Sequence, residues 1–207
     1  AQALLVAPMT ADLPFSLACE HNKAPILSVL SRVFGDCQTV LEVGSGSGQH
    51  ATFFAHCLPQ LRWLPTDTAD NLPVLVPRCA NYPGDNLGPA TLLDVRQRPW
   101  AVPPVDGVFT ANTLHIMSME VVCDFFSGLA SVLTADARLA IYGPFNYAGR
   151  YTSASNAQFD QWLAARDPQS AIRDFEAVDA LARDIGLRLL EDNEMPANNR
   201  LLVWCRT

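Results

Sequence analysis

Lysine is almost missing from this 207-residue chain: Lys23 stands alone among 14 basic residues, against 21 acidic ones, for a net charge of -7. A surface of that balance repels a phosphate backbone, so nucleic acid is not the expected partner. Closely paired cysteines are also missing. The six, at 19, 37, 57, 79, 123 and 205, lie at least 18 residues apart with no Cys-x-x-Cys, which excludes a disulfide framework or a zinc site. No apolar run approaches the roughly 18 residues of a membrane span, and no charged segment leads into an apolar export segment. A reduced, cytoplasmic chain without a membrane partner or a metal is therefore expected. Repeats and low-complexity tracts are absent too. What the chain does have is 49% hydrophobic and 17% charged residues, enough to fill the core of one domain of this size.

Apolar spacing alternates between short β-branched runs and longer 3.6-period stretches, the pattern of an α/β protein. Residues 1 to 18, with Pro8 and Pro14, have no usable period and are expected to form an arm or lid before a single domain over 19–207. A helix is predicted from Lys23 to Phe34, with Pro25 in its first turn. Strands follow at Thr39–Val43, Leu61–Pro65, Ala90–Leu93, Asp106–Ala111 and Arg138–Tyr142. Helices are predicted over Gln49–Leu58 and Met119–Leu133, with a proline-broken stretch, part helix and part loop, between the second and third strands. Residues 145–173 are polar and arginine-bearing, with a short helix near Asn156–Ala165, and read as a substrate-side insert. Asp174 is expected to cap a helix that runs to Gly186. Two last strands, Leu187–Asn193 and Leu201–Arg206, are joined by a link too short for a crossover helix, so they pair as an antiparallel hairpin.

Strand one runs into Gly44-Ser45-Gly46-Ser47-Gly48 and then a helix, a geometry in which backbone approaches a ligand closely. A dinucleotide fingerprint would place its third glycine at position 49, which is Gln49, so a nicotinamide cofactor is disfavoured. Glu42, at the end of strand one, repels a pyrophosphate but suits an ammonium. Asp67 ends strand two, where a carboxylate accepts both ribose hydroxyls. Asp94 ends strand three and can accept an adenine amino group while Val95 packs on the ring. Each acid alone is ordinary turn chemistry. The ordered set, with a glycine loop at the first, describes a site for S-adenosyl-L-methionine.

These features resemble the class I S-adenosylmethionine-dependent methyltransferases. The chain is similar in particular to the methyltransferase-like 26 group, the domain of unknown function 938. The matching runs are Cys19-Glu20-His21-Asn22-Lys23-Ala24-Pro25-Ile26, Leu41 to His50, Asn112-Thr113-Leu114-His115-Ile116 and Tyr142-Gly143-Pro144-Phe145. They continue in Ser155 to Asp160, Arg166-Asp167-Pro168, Ile172-Arg173-Asp174 and Met195-Pro196-Ala197-Asn198-Asn199. Departures are His21 and Ser170-Ala171, where the family usually has Arg and Trp-Gly. The resemblance implies a Rossmann-like fold, a mostly parallel seven-stranded sheet with an antiparallel C-terminal hairpin and helices on both faces. It also implies S-adenosyl-L-methionine as cofactor, with S-adenosyl-L-homocysteine as product, and Asn112 beside its methionine part.

Methyl transfer from a sulfonium is an in-line displacement in which positioning does most of the work. Where the nucleophile carries a proton, His115 at the mouth of strand four is the expected acceptor; Tyr142, at the end of strand five, is a candidate to direct its hydroxyl into the cleft, or else a core ring with its OH at the edge. Glu20, His21, Asn22 and Lys23 are expected to close over the site. Arg150, Arg166 and Arg173 are candidates to clamp a substrate anion, or else to pair with neighbours. Asn198 and Asn199, in the hairpin turn, become substrate candidates through the resemblance, and His50 is close enough to the loop to touch cofactor. Small-molecule methyl transfer is the leading expectation. The alternatives are aminocarboxypropyl transfer or cofactor cyclisation, which release methylthioadenosine, and a silent cofactor-binding protein.

Overall fold

The computed structural model describes residues 13–207. Residues 1–12, most of the expected arm, lie outside the described residues. Helix α1 spans Leu17–Val33 and begins six residues earlier than apolar spacing predicts. Ser16 sets that start: its side chain accepts a hydrogen bond from Cys19 N. Gln49 holds Ser16 in place by accepting from its N–H and donating to its carbonyl. Pro25 thus sits inside the helix rather than in its first turn.

The chain continues through β1 (Thr39–Val43), α2 (Gln49–Cys57), β2 (Arg62–Asp67), α3 (Leu72–Ala80), β3 (Thr91–Leu92), β4 (Val105–Ala111), α4 (Met119–Val132) and β5 (Leu133–Gly143). The proline-broken stretch keeps one nine-residue helix, α3, because Pro73 falls at its start; only Pro77 lies inside. A two-strand clip follows, in which β6 (Phe145–Asn146) pairs in parallel with β7 (Arg173–Asp174) and closes the base of the insert around α5 (Ala154–Arg166). Asp174 then leads into α6 (Phe175–Asp184) without a side-chain capping bond. The chain ends in β8 (Leu187–Met195) and β9 (Asn199–Arg206), joined by one short turn at Pro196–Asn198.

The large sheet has the order β3-β2-β1-β4-β5-β9-β8. Its first five strands are parallel, and β9 pairs antiparallel with both β5 and β8. This is the seven-stranded sheet with a C-terminal hairpin that the resemblance implies. A mostly parallel sheet must be covered on both faces, and alternation along each strand divides the side chains accordingly. Val108, Leu139, Ile141, Leu202 and Trp204 pack toward Phe125, Leu129 of α4 and Val178 of α6. Phe109, Ala140, Tyr142 and Val203 pack toward Ile26 and Leu30 of α1 and Phe54 of α2.

Among the described residues no helix is long and apolar enough to cross a membrane. Nor do three or more His, Cys, Asp or Glu among them gather where a metal ion could be held.

Candidate functional site

Strand order reverses direction between β1 and β4, and an open parallel sheet binds its ligands beyond the strand ends at such a switch point. The loops placed there are Gly44–Gly48 after β1 and Asn112–Ser118 after β4. The first borders a cavity of 580 Å³, and the second borders both that cavity and another of 540 Å³. Asn112 lines both. It holds φ +56, a left-handed backbone that a non-glycine residue adopts at a cost.

The first cavity is a cleft along the ends of β1, β2, β3 and β4. Gly44, Gly46, Asp67, Asp94, Val95 and Asn112 line it. Gly44 and Gly46 take φ +72 and +57. A Cβ on Gly44 would stand 2.4 Å from Thr113 Cγ2, whereas a Cβ on Gly46 would meet nothing within 4 Å. Gly44 therefore serves close approach of two loops, and Gly46 keeps the cleft itself open. Asp67 is nearly buried. One carboxylate oxygen accepts from Gly46 N at 2.7 Å, and the other accepts from Thr68 N and the Asn71 side chain. Asp94 is held by the Arg96 guanidinium through both oxygens. That hydrogen-bonded cation keeps its carboxyl below the usual range. Val95 lies buried beside it.

Four expected cofactor contacts are not at the cleft wall. Glu42 shares its side of β1 with Val40, as residues two apart do, and so points into the core beside Trp63. It is 2% exposed and accepts from Trp63 Nε1 at 2.7 Å. Burial, the largest influence, pushes its carboxyl up to about 7. Glu42 is thus a core group and does not face an ammonium in the cleft. Ser45 accepts from Thr66 N with its hydroxyl and so ties the loop to β2. Gly48 precedes α2 at φ +78 and faces Leu75 and Arg78 of α3. His50 is buried, stacked on Phe54, with Nε2 2.7 Å from Asn22 Oδ1. Burial and then the Lys23 charge lower its pKa to about 4.

The second cavity is walled by α1, the ends of β4 and β5, α5 and the hairpin turn. His21, Asn22, Asn112, His115, Tyr142, Asn198 and Asn199 line it, together with Asn156 and Phe159. His115 is 7% exposed, and its ring meets Phe159 edge to face at 5.4 Å. Burial first and the Arg173 charge second lower its pKa to about 4, so the imidazole is neutral near pH 7. Tyr142 is buried, which raises its hydroxyl pKa; the Asn22 and Asn199 amides beside it act in the opposite sense. Ala197 and Asn198 both take φ +58 at the turn that forms the far wall.

Glu20 and Lys23 pair with each other, and Glu20 also accepts from Gln49. They brace α1 against α2 and do not line the cavity. The three arginines do not line it either. Arg150 is exposed, and Arg166 lies 4.6 Å over the Trp162 ring. Arg173 donates to the carbonyls of Leu114, Met117 and Gln169 and so holds the 113–118 loop. An anion clamp made of these side chains is not present, because a guanidinium beneath a loop is spent on carbonyls that otherwise lack donors.

Sequence reasoning missed Asn71, Thr113, Asn156 and Phe159 as wall residues. The spacing of Asn71 four residues beyond Asp67 is a local cue; Thr113, Asn156 and Phe159 lie in runs shared with the family, but their place at a wall depends on how the β4 loop and α5 come together. Gln49 served to disfavour a dinucleotide and as part of the run shared with the family, yet it is also the side chain that anchors the start of α1.

Solved structures with this arrangement include an O-methyltransferase family protein from Burkholderia thailandensis. It matches with a TM-score of 0.78 and 18% identity over 89% of this chain and 56% of its own. Human N-acetylserotonin methyltransferase in complex with SAM matches with a TM-score of 0.77 and 11% identity, over 91% and 52%. An O-methyltransferase family 2 protein from Planctomyces limnophilus in complex with apigenin matches with a TM-score of 0.72 and 16% identity, over 89% and 62%. The chain therefore spans between 52% and 62% of these neighbours' lengths. At such identities the likeness is one of fold, the Rossmann-like class I methyltransferase fold. Along residues 13–206, this chain belongs to the family described as Protein of unknown function (DUF938).

Proposed function

We propose that the chain transfers the methyl group of S-adenosyl-L-methionine to a small-molecule acceptor. The observation that carries this reading is the shared wall at Asn112: two cavities of ligand size meet at the switch point of the sheet. A reaction between two bound molecules needs such adjacency.

The residues present fit the cofactor. Gly46 leaves a cradle that a side chain would fill, and Asp67 stands at the wall with both oxygens oriented by loop donors. Buried Val95 offers an apolar surface for the base. When bound, S-adenosyl-L-methionine supplies an electrophilic methyl on a sulfonium and leaves as S-adenosyl-L-homocysteine. Asp67 holds the ribose hydroxyls, and Asn112 fixes the boundary at which the two ligands meet. Asp94 contributes to the adenine end once it exchanges part of its pairing with Arg96. His115, neutral near pH 7, is in the state that accepts a proton from the acceptor. Tyr142 orients the acceptor with its hydroxyl. His21 and Asn22 close the cavity from α1, and Asn198 and Asn199 close it from the hairpin.

Calorimetric titration with S-adenosyl-L-methionine, S-adenosyl-L-homocysteine and NADH tests the cofactor assignment. Binding of the two sulfur nucleosides without NADH is the expected result; failure of both to bind removes the proposal. Mass analysis of the nucleoside product then separates the chemistries. S-adenosyl-L-homocysteine marks methyl transfer, and methylthioadenosine marks attack at another carbon of the sulfonium.

A further inference from the structure

The acceptor cavity is lined by amides. Asn22, Asn112, Asn156, Asn198 and Asn199 all contribute, and among the described residues none of its lining side chains is Asp, Glu, Lys or Arg. How these amides are oriented decides what they can receive. Asn156, 5% exposed, donates its Nδ2 to the Asn198 carbonyl at 3.2 Å and to Thr152 Oγ1 at 3.0 Å. Asn199 donates its Nδ2 to the Pro196 carbonyl at 3.1 Å, and Asn198 donates its own to Ser155 Oγ. A main-chain carbonyl accepts only, so it fixes the orientation of the amides of Asn156 and Asn199. Their N–H groups are committed to protein, and the oxygens of Asn156, Asn198 and Asn199 accept no hydrogen bond from a described residue in the contacts above.

Carbonyl oxygens at a cavity wall ask for donors. They also repel a carboxylate or a phosphate, which offers only acceptors and brings a charge that would have to be desolvated. Arg173 is the cation whose charge reaches His115, but it is held by three carbonyls and stays behind the loop. On the reading that this cavity holds the acceptor, we infer that the acceptor is an uncharged molecule bearing more than one O–H or N–H donor. Asn156 and Asn199 are the residues that select it against anions.

Salicylamide and salicylate make a near-isosteric probe pair that differs in amide and carboxylate. Each is titrated by NMR into the full chain at neutral pH, with and without S-adenosyl-L-homocysteine. Salicylamide is expected to bind more tightly by about tenfold or more, the effect of one buried polar group set against the wrong partner. Asn156→Leu is expected to reduce that preference to within about twofold while salicylamide still binds. If Asn156→Leu fails to fold, Asn199→Ala provides the same reading from the exposed side of the wall. Salicylate binding as well as or better than salicylamide would overturn the inference. So would the absence of salicylamide binding up to its solubility, or a preference that survives both variants. S-adenosyl-L-homocysteine binding is read in the same samples. Its absence alongside an intact amide preference would remove the methyl-transfer reading and leave the cavity chemistry standing; the converse would remove only the latter.

Discussion

Two glycines of one loop should respond to the same substitution in opposite ways. Both Gly44 and Gly46 have positive φ, so alanine at either position costs about 1–2 kcal/mol in backbone conformation. At Gly44 the new methyl also meets Thr113 Cγ2 at 2.4 Å, and that group is not free to turn away. Thr110 gives its hydroxyl proton to Val43 O, so the Thr113 hydroxyl must donate to Thr110 Oγ1. Rotation of Thr113 would break that buried bond. Relief of the overlap adds about 1–3 kcal/mol, for a total of about 2–5 kcal/mol. For a chain of this length the total corresponds to a fall in Tm of about 4–20 °C. Gly46→Ala has only the conformational cost and a fall of about 2–8 °C, but its methyl stands in the cleft and should weaken S-adenosyl-L-homocysteine binding about tenfold or more. Differential scanning fluorimetry and calorimetric titration read the two effects separately. Equal losses of Tm in the two variants, or wild-type affinity in Gly46→Ala, would refute the division of roles.

Buried titratable groups predict how stability depends on pH. His50 and His115 titrate in the fold at about 4, so below about 6.5 the unfolded chain binds protons that the fold refuses, and stability falls as pH falls. Glu42, at about 7, acts the other way between about 4.3 and 7. From pH about 5 to 6 the net slope is therefore about one proton, on the order of 1 kcal/mol per unit rising with pH, and Glu42→Gln should roughly double it in urea unfolding curves; an unchanged slope would contradict the burial argument. His115→Gln should leave S-adenosyl-L-homocysteine affinity within about twofold and lower turnover by about 10²–10⁴; a parallel loss of binding would instead make it a structural residue. Arg173→Met should cost about 2–4 kcal/mol and speed amide hydrogen exchange across the 113–118 loop; unaltered exchange there would show that its bonds to the Leu114 and Met117 carbonyls are not what holds the loop.

Much of the scaffold was legible because apolar period and glycine position act locally. Thr39–Val43 reads as a strand from its short β-branched and apolar run, and the Gly44–Gly48 loop from its three alternate glycines. Asp67 could be placed at the wall because it ends a strand beside that loop. Glu42 could not be placed correctly without the covering helices. Its side chain follows Val40 to the α1 and α2 side of the sheet, and only the packing of Trp63 there reveals that an indole N–H awaits it. The role of the arginines stayed open in the sequence for a related reason. A guanidinium on a long stem reaches several partners, and nothing in spacing tells a substrate anion from two carbonyls of a loop more than 50 residues away. The start of α1 was missed because its determinant, Gln49, is 33 residues from Ser16.

The hairpin turn lines the second cavity because β9 runs antiparallel to β5. Tyr142 pairs with Leu201 and Gly143 with Arg200, so β9 begins where β5 ends, at the functional edge of the sheet. A parallel last strand would begin at the opposite edge, and its preceding loop would lie a full strand length away, ~20 Å. Reversal of one strand therefore brings Pro196–Asn198 next to Tyr142, where the Asn156 amide reaches across from α5 to the Asn198 carbonyl. That same bond commits the Asn156 amide nitrogen to the hairpin. The left-handed backbone at Ala197 and Asn198 is the local cost of so tight a turn, and its product is the far wall of the second cavity.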